Sequence, residues 1–292
     1  MNETTVNVLL GGLLTIVGTV VGVIISARIE NVRTKRERLH EFRLRILGDR
    51  FQTSEIMSFI KSEKRKKWLL FWQYNKVDLS HAKLEEVDFR NQDLRNVIFF
   101  RANLSNAELE NANLQGDDLG KADLCGASLI KANLTNTELS GAILSRRYSD
   151  NNSSDISQSL QANHTNLFKA NLSKANLQDA CLQGIVLSEA NLTGANLNGA
   201  SLAEANLRDS LLIEADLSYA ILRATSLIGA NLRGATLKEA ILEDANLHGS
   251  DLSQANLDNT WLQGARYSSE TKWPDNFDAA SAGAKLENHN RR

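Results

Sequence analysis

Histidines and cysteines are the side chains best suited to metal, acid-base or nucleophilic chemistry, and their spacing in this sequence does not build a site. The 292-residue chain contains five histidines and two cysteines. They are His40, His81, His164, His248, His289, Cys125 and Cys181. There is no HExxH motif, no glycine-rich phosphate loop and no cysteine pair at metal-binding spacing. The sequence therefore predicts a protein that is not an enzyme and needs no cofactor or metal, with two unpaired surface thiols.

A second distinctive stretch joins cations to aromatic residues between Lys61 and Lys76. Its members are Lys64, Arg65, Lys66, Lys67, Trp68 and Trp72. Such a cluster can lie at a membrane interface, and basic-aromatic stretches also bind nucleic acid. It can equally cover the apolar end of a repeat structure. Its position directly before the first repeat favours the cap, and the cations can face solvent or lipid at the same time.

A five-residue repeat dominates the chain between Ala170 and Gly264. Leu recurs at every fifth position, and a small residue, usually Ala, stands two positions before it. A period of five fits neither a helix nor a straight strand. Only a backbone that turns once per repeat keeps every Leu on one side, so Ala and Leu point inward and the residues flanking Leu point outward. The sequence predicts a β solenoid.

The repeat occurs in two arrays, which we assign to residues 77–145 and 165–266. The first has fourteen central residues and the second has twenty. Leu144 and Leu167, the central residues on either side of the break, are 23 positions apart, which is not a multiple of five. The polar segment 146–164 is therefore interpreted as a loop inserted at one corner.

The N-terminal segment, residues 1–27, contains 22 residues without a charge, from Val6 to Ala27. This length matches a helix that spans the hydrocarbon core. No Lys or Arg precedes the segment and no convincing cleavage site follows it, which favours an uncleaved anchor over a signal peptide. Basic residues follow directly. The positive-inside rule then predicts a single-pass membrane protein, N-terminus outside and repeats in the cytoplasm, in a bacterial plasma or thylakoid-type membrane.

Residues 28–76 are predicted to form a basic, helical juxtamembrane and capping segment. Residues 1–76 carry fourteen Lys and Arg against seven Asp and Glu, whereas residues 77–266 carry fifteen against twenty-four. We expect one charged helix over residues 28–50 and a second that starts at Thr53 or Ser54 and runs toward Trp72. The charge asymmetry suggests a basic anchoring segment and a separately solvated acidic body.

The tandem A(N/D)LXX pattern resembles the pentapeptide-repeat protein family. The resemblance implies a right-handed quadrilateral parallel β-helix with four repeats per coil, preceded here by the transmembrane helix. The 34 repeats would give eight and a half coils and a rod about 40 Å long. The stretch from Ala265 to Ala284 is also similar to family endings. It implies that Tyr267, Trp273 and Phe277 of the C-terminal cap and tail, residues 267–292, cover the last coil.

Four repeats per coil would align outward residues that are twenty positions apart. One such column contains Cys181, Ser201, Ile221, Ile241 and Trp261, whereas most other columns carry Asn or Asp. Outward apolar residues in register predict that Ile221, Ile241 and Trp261 form a contact face for an unknown protein partner. The alternative is local packing of Trp261 under the C-terminal tail. Family members often dimerise, so a homodimer is a further expectation.

Two classes of function remain. One is a membrane-tethered interaction scaffold that binds a protein partner through the outer faces of a rigid rod. The alternative, which the family resemblance implies, is a DNA-mimicking regulator of a topoisomerase or another nucleic-acid-binding protein. Direct binding of nucleic acid is not expected. A mimic needs continuous negative columns, and fifteen basic residues interrupt the acidic body. The scaffold is therefore favoured.

Overall fold

A computed structural model describes residues 53–65, 76–145 and 165–287. Its regular elements are one helix, α1 (Thr53–Arg65), and the two-residue strands β1 (Val77–Asp78), β2 (Val97–Ile98), β3 (Arg266–Tyr267) and β4 (Lys285–Leu286). β1 pairs with β2 and β3 pairs with β4, both in parallel. Isolated parallel bridges and turns hold the backbone between β2 and β3.

A parallel ladder joins each coil to the next at a separation of twenty residues. Lys83 bridges Asn103 and Asn103 bridges Asp123, for example, and the same interval recurs in four columns. The amide of Leu84 donates to the carbonyl of Asn103 at 2.7 Å, and the amide of Asn103 donates back to the carbonyl of Ala82 at 2.9 Å. Four columns of bridges define four faces. The predicted β solenoid with four repeats per coil is therefore confirmed.

The outward residues of each face form a column, and the faces are numbered here in chain order. Face 1 carries the column from Asp78 to Asn256, face 2 from Lys83 to Trp261, face 3 from Asp88 to Arg266, and face 4 from Asp93 to Lys272. The central Leu residues and the small residues two positions before them fill the interior. Leu197 and Ala200, for example, are fully buried. This stacked apolar interior is the hydrophobic core that stabilises the solenoid.

Every corner of the solenoid is a tight turn whose third residue has a positive φ. The turn closes with a hydrogen bond such as that from Ala82 N to Leu79 O, at 3.1 Å. The residue two positions after each central residue has a φ between 54° and 74°, from His81 to Gly141 and from Lys169 to Gly264. The residue before it is not in the left-handed region. The corners are therefore type II turns, which require a left-handed residue at the third position only.

The Asn or Asp that precedes more than half of the central residues satisfies a backbone donor. Its side-chain oxygen accepts a hydrogen bond from the amide two residues later, as from Ser80 N to Asp78 Oδ1 at 2.9 Å and from Ser173 N to Asn171 Oδ1 at 3.1 Å. That amide makes neither the ladder bond nor the turn bond. Asn and Asp have the side-chain length for this Asx turn, so the preference for them in the repeat follows from the backbone.

The ladder continues in register across the predicted loop 146–164, which lies outside the described residues. Ile143 bridges Cys181 at a separation of 38 residues, which is one coil of twenty plus 18 inserted residues. The chain leaves the corner between faces 2 and 3 after the buried Ser145 and returns at the buried Thr165. The insertion therefore leaves the period of the solenoid unchanged.

Cys181 corrects the prediction of two surface thiols. Its side chain is buried, and its Sγ lies 3.3 Å from Ser145 Oγ, whereas Cys125 is half-buried. Both cysteines occupy outward positions of the repeat. Cys181 is covered because Ser145 packs over it at the corner where the insertion begins, a contact that the five-residue pattern does not reveal.

Helix α1 packs against β1 and buries Ile56, Met57 and Ile60. It begins at Thr53, one of the two predicted starting residues, Thr53 or Ser54. At the other end of the solenoid, the rings of Tyr267 and Trp273 meet edge to face at 5.4 Å. The ring of Phe277 stacks on Trp273 at 5.3 Å. Apolar groups therefore gather at both ends of the array, where the last coils lack a neighbour.

The prediction of a single-pass membrane protein is corrected by the helical content of the described residues. The helix that they contain, α1, has 13 residues, which is about 20 Å against a hydrocarbon core of about 30 Å. Within the described ranges, then, the structure has no helix of the length and apolar character that a bilayer span requires. Residues 6–27 and 28–50, which supported the prediction, lie outside those ranges. The orientation and cytoplasmic placement inferred from them are withdrawn.

Deletion of residues 147–164 is expected to preserve the solenoid. The shortened chain reads Leu144, Ser145, Arg146, Thr165, Asn166, Leu167, which restores the five-residue spacing and places Arg146 at the left-handed corner position. Arg101 occupies the equivalent position with a φ of 56°. Removal of the loop should raise the free energy of unfolding by about 2 kcal/mol, because closure entropy grows with loop length. Thermal and urea unfolding followed by circular dichroism measure the change.

Deletion of residues 146–164 is the matched control, since it removes one residue more. The corner then lacks its left-handed residue, and every later Leu is displaced by one position relative to the first array. The free energy of unfolding of this variant should fall by several kcal/mol, because a displaced core loses more packing than a single cavity does. Equal stability of the two deletions would contradict the register that the ladder implies.

Ala224 is expected to be a site where glycine stabilises the fold. Its φ is 54°, a region that costs an L residue about 1–2 kcal/mol and costs glycine little. Ala224→Gly should therefore raise the free energy of unfolding by about 0.5–1 kcal/mol. Ala220→Gly, four residues earlier, should lower it by about 1–2 kcal/mol, because Ala220 is fully buried. Urea unfolding of both variants should give shifts of opposite sign, and shifts of the same sign would refute the explanation.

Candidate interaction surface

The predicted contact residues lie in one column on face 2. Ser201 bridges Ile221, Ile221 bridges Ile241, and Ile241 bridges Trp261, each in parallel. Neighbouring strands in such a ladder are about 4.8 Å apart, so the three apolar side chains span about 10 Å along the solenoid axis. We call Ile221, Ile241 and Trp261 the apolar column. The structure brings together the three residues that the sequence singled out.

The apolar column is open to solvent. Ile221 is 40% exposed and Trp261 is 66% exposed, while Ile241 between them is half-buried. Trp261 is thus not packed under the described part of the C-terminal tail. Tyr219, at the corner between faces 1 and 2, is 49% exposed and directly precedes the buried Ala220. Tyr219 was missed in the sequence, although its place two residues before Ile221 was a signal for it.

The apolar column forgoes a hydrogen bond that most equivalent positions make. On face 4, Asn231 accepts a hydrogen bond from Arg233 N at 3.1 Å, and Asp251 accepts one from Ser253 N at 3.0 Å. Ile221, Ile241 and Trp261 have no side-chain acceptor for the amide two residues later. Each such bond is worth about 1 kcal/mol or less at a surface. Three successive coils therefore carry, at the same place on face 2, residues that the fold itself does not favour.

Leu211 on face 4 provides a natural comparison. It is 41% exposed and bridges Asn191 and Asn231, so polar residues stand above and below it. Leu211 is thus an isolated outward apolar residue with almost the same exposure as Ile221. Single exposed apolar residues are ordinary on protein surfaces, whereas contiguous ones indicate contact sites.

The edges of face 2 are acidic beside the apolar column. The charged residues at its corners from 203 to 264 are Glu204, Arg223, Lys238, Glu239, Glu243, Asp244 and Asp258. Arg223 Nη2 lies 2.7 Å from Glu243 Oε2, and Lys238 Nζ lies 4.0 Å from Glu239 Oε1. Both bases are therefore paired. Glu204, Asp244 and Asp258 have no basic partner among the described residues.

Two carboxylates elsewhere on the surface, those of Asp88 and Glu138, accept local hydrogen bonds. Hydrogen bonds from Arg90 hold the pKa of Asp88 below its usual value. Burial itself raises the pKa of Glu138, but hydrogen bonds from Ser140 and Asn176 outweigh it and leave the pKa lowered. These carboxylates stay ionised at neutral pH and accept hydrogen bonds within a corner or from the neighbouring coil.

The part of the chain that the structure describes contains no assembled metal site. No three His, Cys, Asp or Glu side chains there are grouped as a metal ion requires. His248 lies at the C-terminal end, with its Nε2 3.6 Å from Glu287 Oε2. Of the basic-aromatic cluster, Lys64 and Arg65 form the end of α1, and Lys66, Lys67, Trp68 and Trp72 lie outside the described residues. Their role as a cap or interface stays a prediction.

These features define a four-sided β solenoid built from five-residue repeats. Eight copies of the family described as "Pentapeptide repeats" match the sequence. The matches lie at residues 75–116, 107–146, 162–188, 170–209, 190–229 and 230–266, together more than half of the chain. The chain belongs to the pentapeptide-repeat family, as its sequence predicted. Proteins of this family fold as right-handed quadrilateral β-helices and are typically non-enzymatic scaffolds.

Solved structures of pentapeptide-repeat proteins are similar to this chain. A trypsin-treated form of QnrB1, a plasmid-mediated fluoroquinolone resistance protein, is 19% identical with a TM-score of 0.53, covering 67% of this chain and 91% of QnrB1. This likeness supports the fold alone. HetL, a protein involved in heterocyst differentiation regulation from the cyanobacterium Nostoc sp. strain PCC 7120, is 27% identical with a TM-score of 0.31, covering 74% and 97%.

Rfr23 from the cyanobacterium Cyanothece 51142 is 30% identical with a TM-score of 0.20, and the match covers 50% of this chain and 90% of Rfr23. No curated protein matches the sequence.

Replacement of the column isoleucines by Asn is expected to leave the fold intact. Ile221→Asn and Ile241→Asn should keep or raise the free energy of unfolding, by up to about 1 kcal/mol each, because Asn can accept from the amides of Arg223 and Glu243. Leu211→Asn on face 4 should behave alike. Leu222→Ala, which truncates a buried neighbour of Ile221, should cost about 2–5 kcal/mol.

Urea unfolding of these four variants measures the difference. A loss of more than about 2 kcal/mol in Ile221→Asn or Ile241→Asn would mean that the apolar column packs against part of this chain and is not a free surface.

Proposed function

We propose that this protein is an interaction scaffold, in which a rigid solenoid presents the apolar column of face 2 to a protein partner. The observation that carries the proposal is the alignment of Ile221, Ile241 and Trp261 at three successive coils, whereas most outward positions on the other three faces carry Asn or Asp. The proposal makes no use of a membrane tether.

A protein partner is favoured by the chemistry of the column. Trp is among the residues that most often dominate binding energy at protein interfaces, and such residues lie in apolar centres with a polar rim. Trp261 is the most exposed large apolar residue in the described parts of the chain. Charged and amide groups on the edges of face 2 would form the rim. The bridges that join Ile221, Ile241 and Trp261 fix their spacing, so little conformational entropy would be lost on binding.

DNA mimicry is less well supported by the placement of acids. A mimic needs acidic residues that follow one another along an edge. On the edge between faces 3 and 4, Glu189 is followed by Asp209, and then by Gly229 and Gly249. Lys169 lies 3.2 Å from Glu189, and Arg208 lies 3.2 Å from Asp209, so bases accompany these two acids. The acidic residues of the body are spread over four faces and four edges and are interrupted on each.

Photo-crosslinking from face 2 tests the proposal. A benzoyl-phenylalanine side chain at position 241, in the full chain, should crosslink a specific protein in extracts of the source organism. The same group at position 231 on face 4 should not. A second copy of this chain is one identity that the crosslinked protein can have, and light scattering of the purified protein would then show the dimer.

The crosslinked protein must then bind in purified form. The affinity should fall at least about tenfold, which corresponds to about 1.4 kcal/mol, in the double variant Ile221→Asn and Trp261→Asn. It should be unchanged in Leu211→Asn. Crosslinks of equal yield from positions 231 and 241 would contradict the proposal. Unchanged binding in the double variant would contradict it as well.

A further inference from the structure

We infer that the apolar column binds a basic amphipathic helix of the partner protein. This inference rests on the proposed function and names the class of structure that the column recognises. The bound helix would lie along the solenoid axis. Its apolar residues would contact Ile221, Ile241 and Trp261, and its Lys or Arg residues would lie over the acidic edges of face 2.

The spacing of the column fits a helix better than a strand. Three apolar residues at positions i, i+4 and i+7 of a helix rise by about 10.5 Å, close to the roughly 10 Å from Ile221 to Trp261. Three residues on one side of an extended strand span about 13 Å. A helix can therefore set one residue against each coil without a progressive mismatch, and a strand cannot.

The backbone of face 2 also disfavours strand addition. The amide of Leu222 donates to Ile241 O at 2.7 Å, and the amide of Ile241 donates to Ala220 O at 2.9 Å. The groups that an added strand would need are thus already paired between coils. Binding on this face must proceed through side chains, which is how an amphipathic helix is recognised.

The charge of the occupant follows from the edges of face 2. Arg223 and Lys238, the two bases there, are occupied by Glu243 and Glu239. Glu204, Asp244 and Asp258 have no basic partner among the described residues. An acidic helix or a phosphate backbone would meet like charge without compensation, whereas Lys and Arg would find opposite charge on both sides of the column.

The residues at the two edges of face 2 leave the apolar column accessible to a helix. On the edge between faces 2 and 3, the corner residues are Ala224 beside Ile221 and Asp244 beside Ile241, and the Asp244 carboxylate lies over Gly264 beside Trp261. On the opposite edge, Tyr219 is 49% exposed and stands two residues before Ile221. A helix can therefore lie against the column between Tyr219 and the edge that carries Asp244.

A panel of synthetic helices tests the inference on the purified full chain. The probe is a fluorescein-labelled 21-residue peptide with Leu at i, i+4 and i+7 of each two turns and Lys on the flanks. A second peptide has Glu in place of every Lys, and a third has the Lys peptide's composition in scrambled order. Fluorescence anisotropy should show binding of the Lys peptide at least about tenfold tighter than of the other two. Binding should weaken as salt rises from about 50 to 300 mM.

Two sets of variants separate the column from its edges. Ile241→Asn with Trp261→Asn should weaken the Lys peptide at least about tenfold. Glu204→Lys, Asp244→Lys and Asp258→Lys together should weaken it similarly and should improve binding of the Glu peptide. Leu211→Asn is the matched control and should change neither affinity.

The outcomes distinguish the inference from the proposed function. If both charged peptides bind alike and both need the column, or if neither binds, the inference of a basic helix is wrong, while crosslinking from position 241 still decides the scaffold function. If the Lys peptide binds equally well after the column substitutions, its binding is a general attraction to an acidic protein, and the inference is again overturned. If the Lys peptide binds as expected but position 241 yields no crosslinked protein, the surface has the inferred preference and the proposed function fails.

Discussion

The structure depends on one constraint: the backbone must turn after every five residues and still pair with itself twenty residues later. The ladder bond from Leu84 N to Asn103 O and the return bond from Asn103 N to Ala82 O recur from coil to coil. They can recur only if each corner has the same length and each contains one left-handed residue. The core holds a central Leu or Phe and usually a small partner, because the interior is closed on four sides, although Val87, Val97 and Ile185 are also buried there. The outward positions are free of these demands.

Much of this follows from the sequence because the repeat is so regular. The inward Leu and Ala, the twenty-residue columns and the alignment of Ile221 with Trp261 all derive from the period of five. The start of α1 at Thr53 agrees with the predicted start at Thr53 or Ser54. The left-handed conformation of Tyr219 or Ala224 could not be derived from residue preference, since neither residue favours it. It is imposed by the ladder on both sides, which overrides local preference.

The errors lie where the repeat gives no guidance. Cys181 occupies an outward position, yet it is buried, because Ser145 leaves the ladder beside it at the start of the insertion. The membrane prediction depended on an uncharged segment and its basic flank, and the described residues contain no helix that could span a bilayer. The DNA-mimic alternative is a different case, since it came from the family resemblance. The placement of acids adds little support to it, because Lys169 and Arg208 stand beside the only successive acids on the edge between faces 3 and 4.

Freedom at the outward positions is what makes the apolar column informative. In a globular core, an isoleucine is explained by packing, and its presence says little about partners. Here the fold prefers Asn or Asp at the same position for the sake of one turn amide, so Ile221 and Ile241 each forgo a local gain. The loss recurs at successive coils on one face, while Leu211 on face 4 stands alone between two asparagines. Other outward apolar residues occur one at a time on every face, at Ile98, Ile143, Val186 and Leu211. Among the described residues, three in succession occur at Ile221, Ile241 and the most exposed residue, Trp261, and this succession is best explained by a contact made outside the fold.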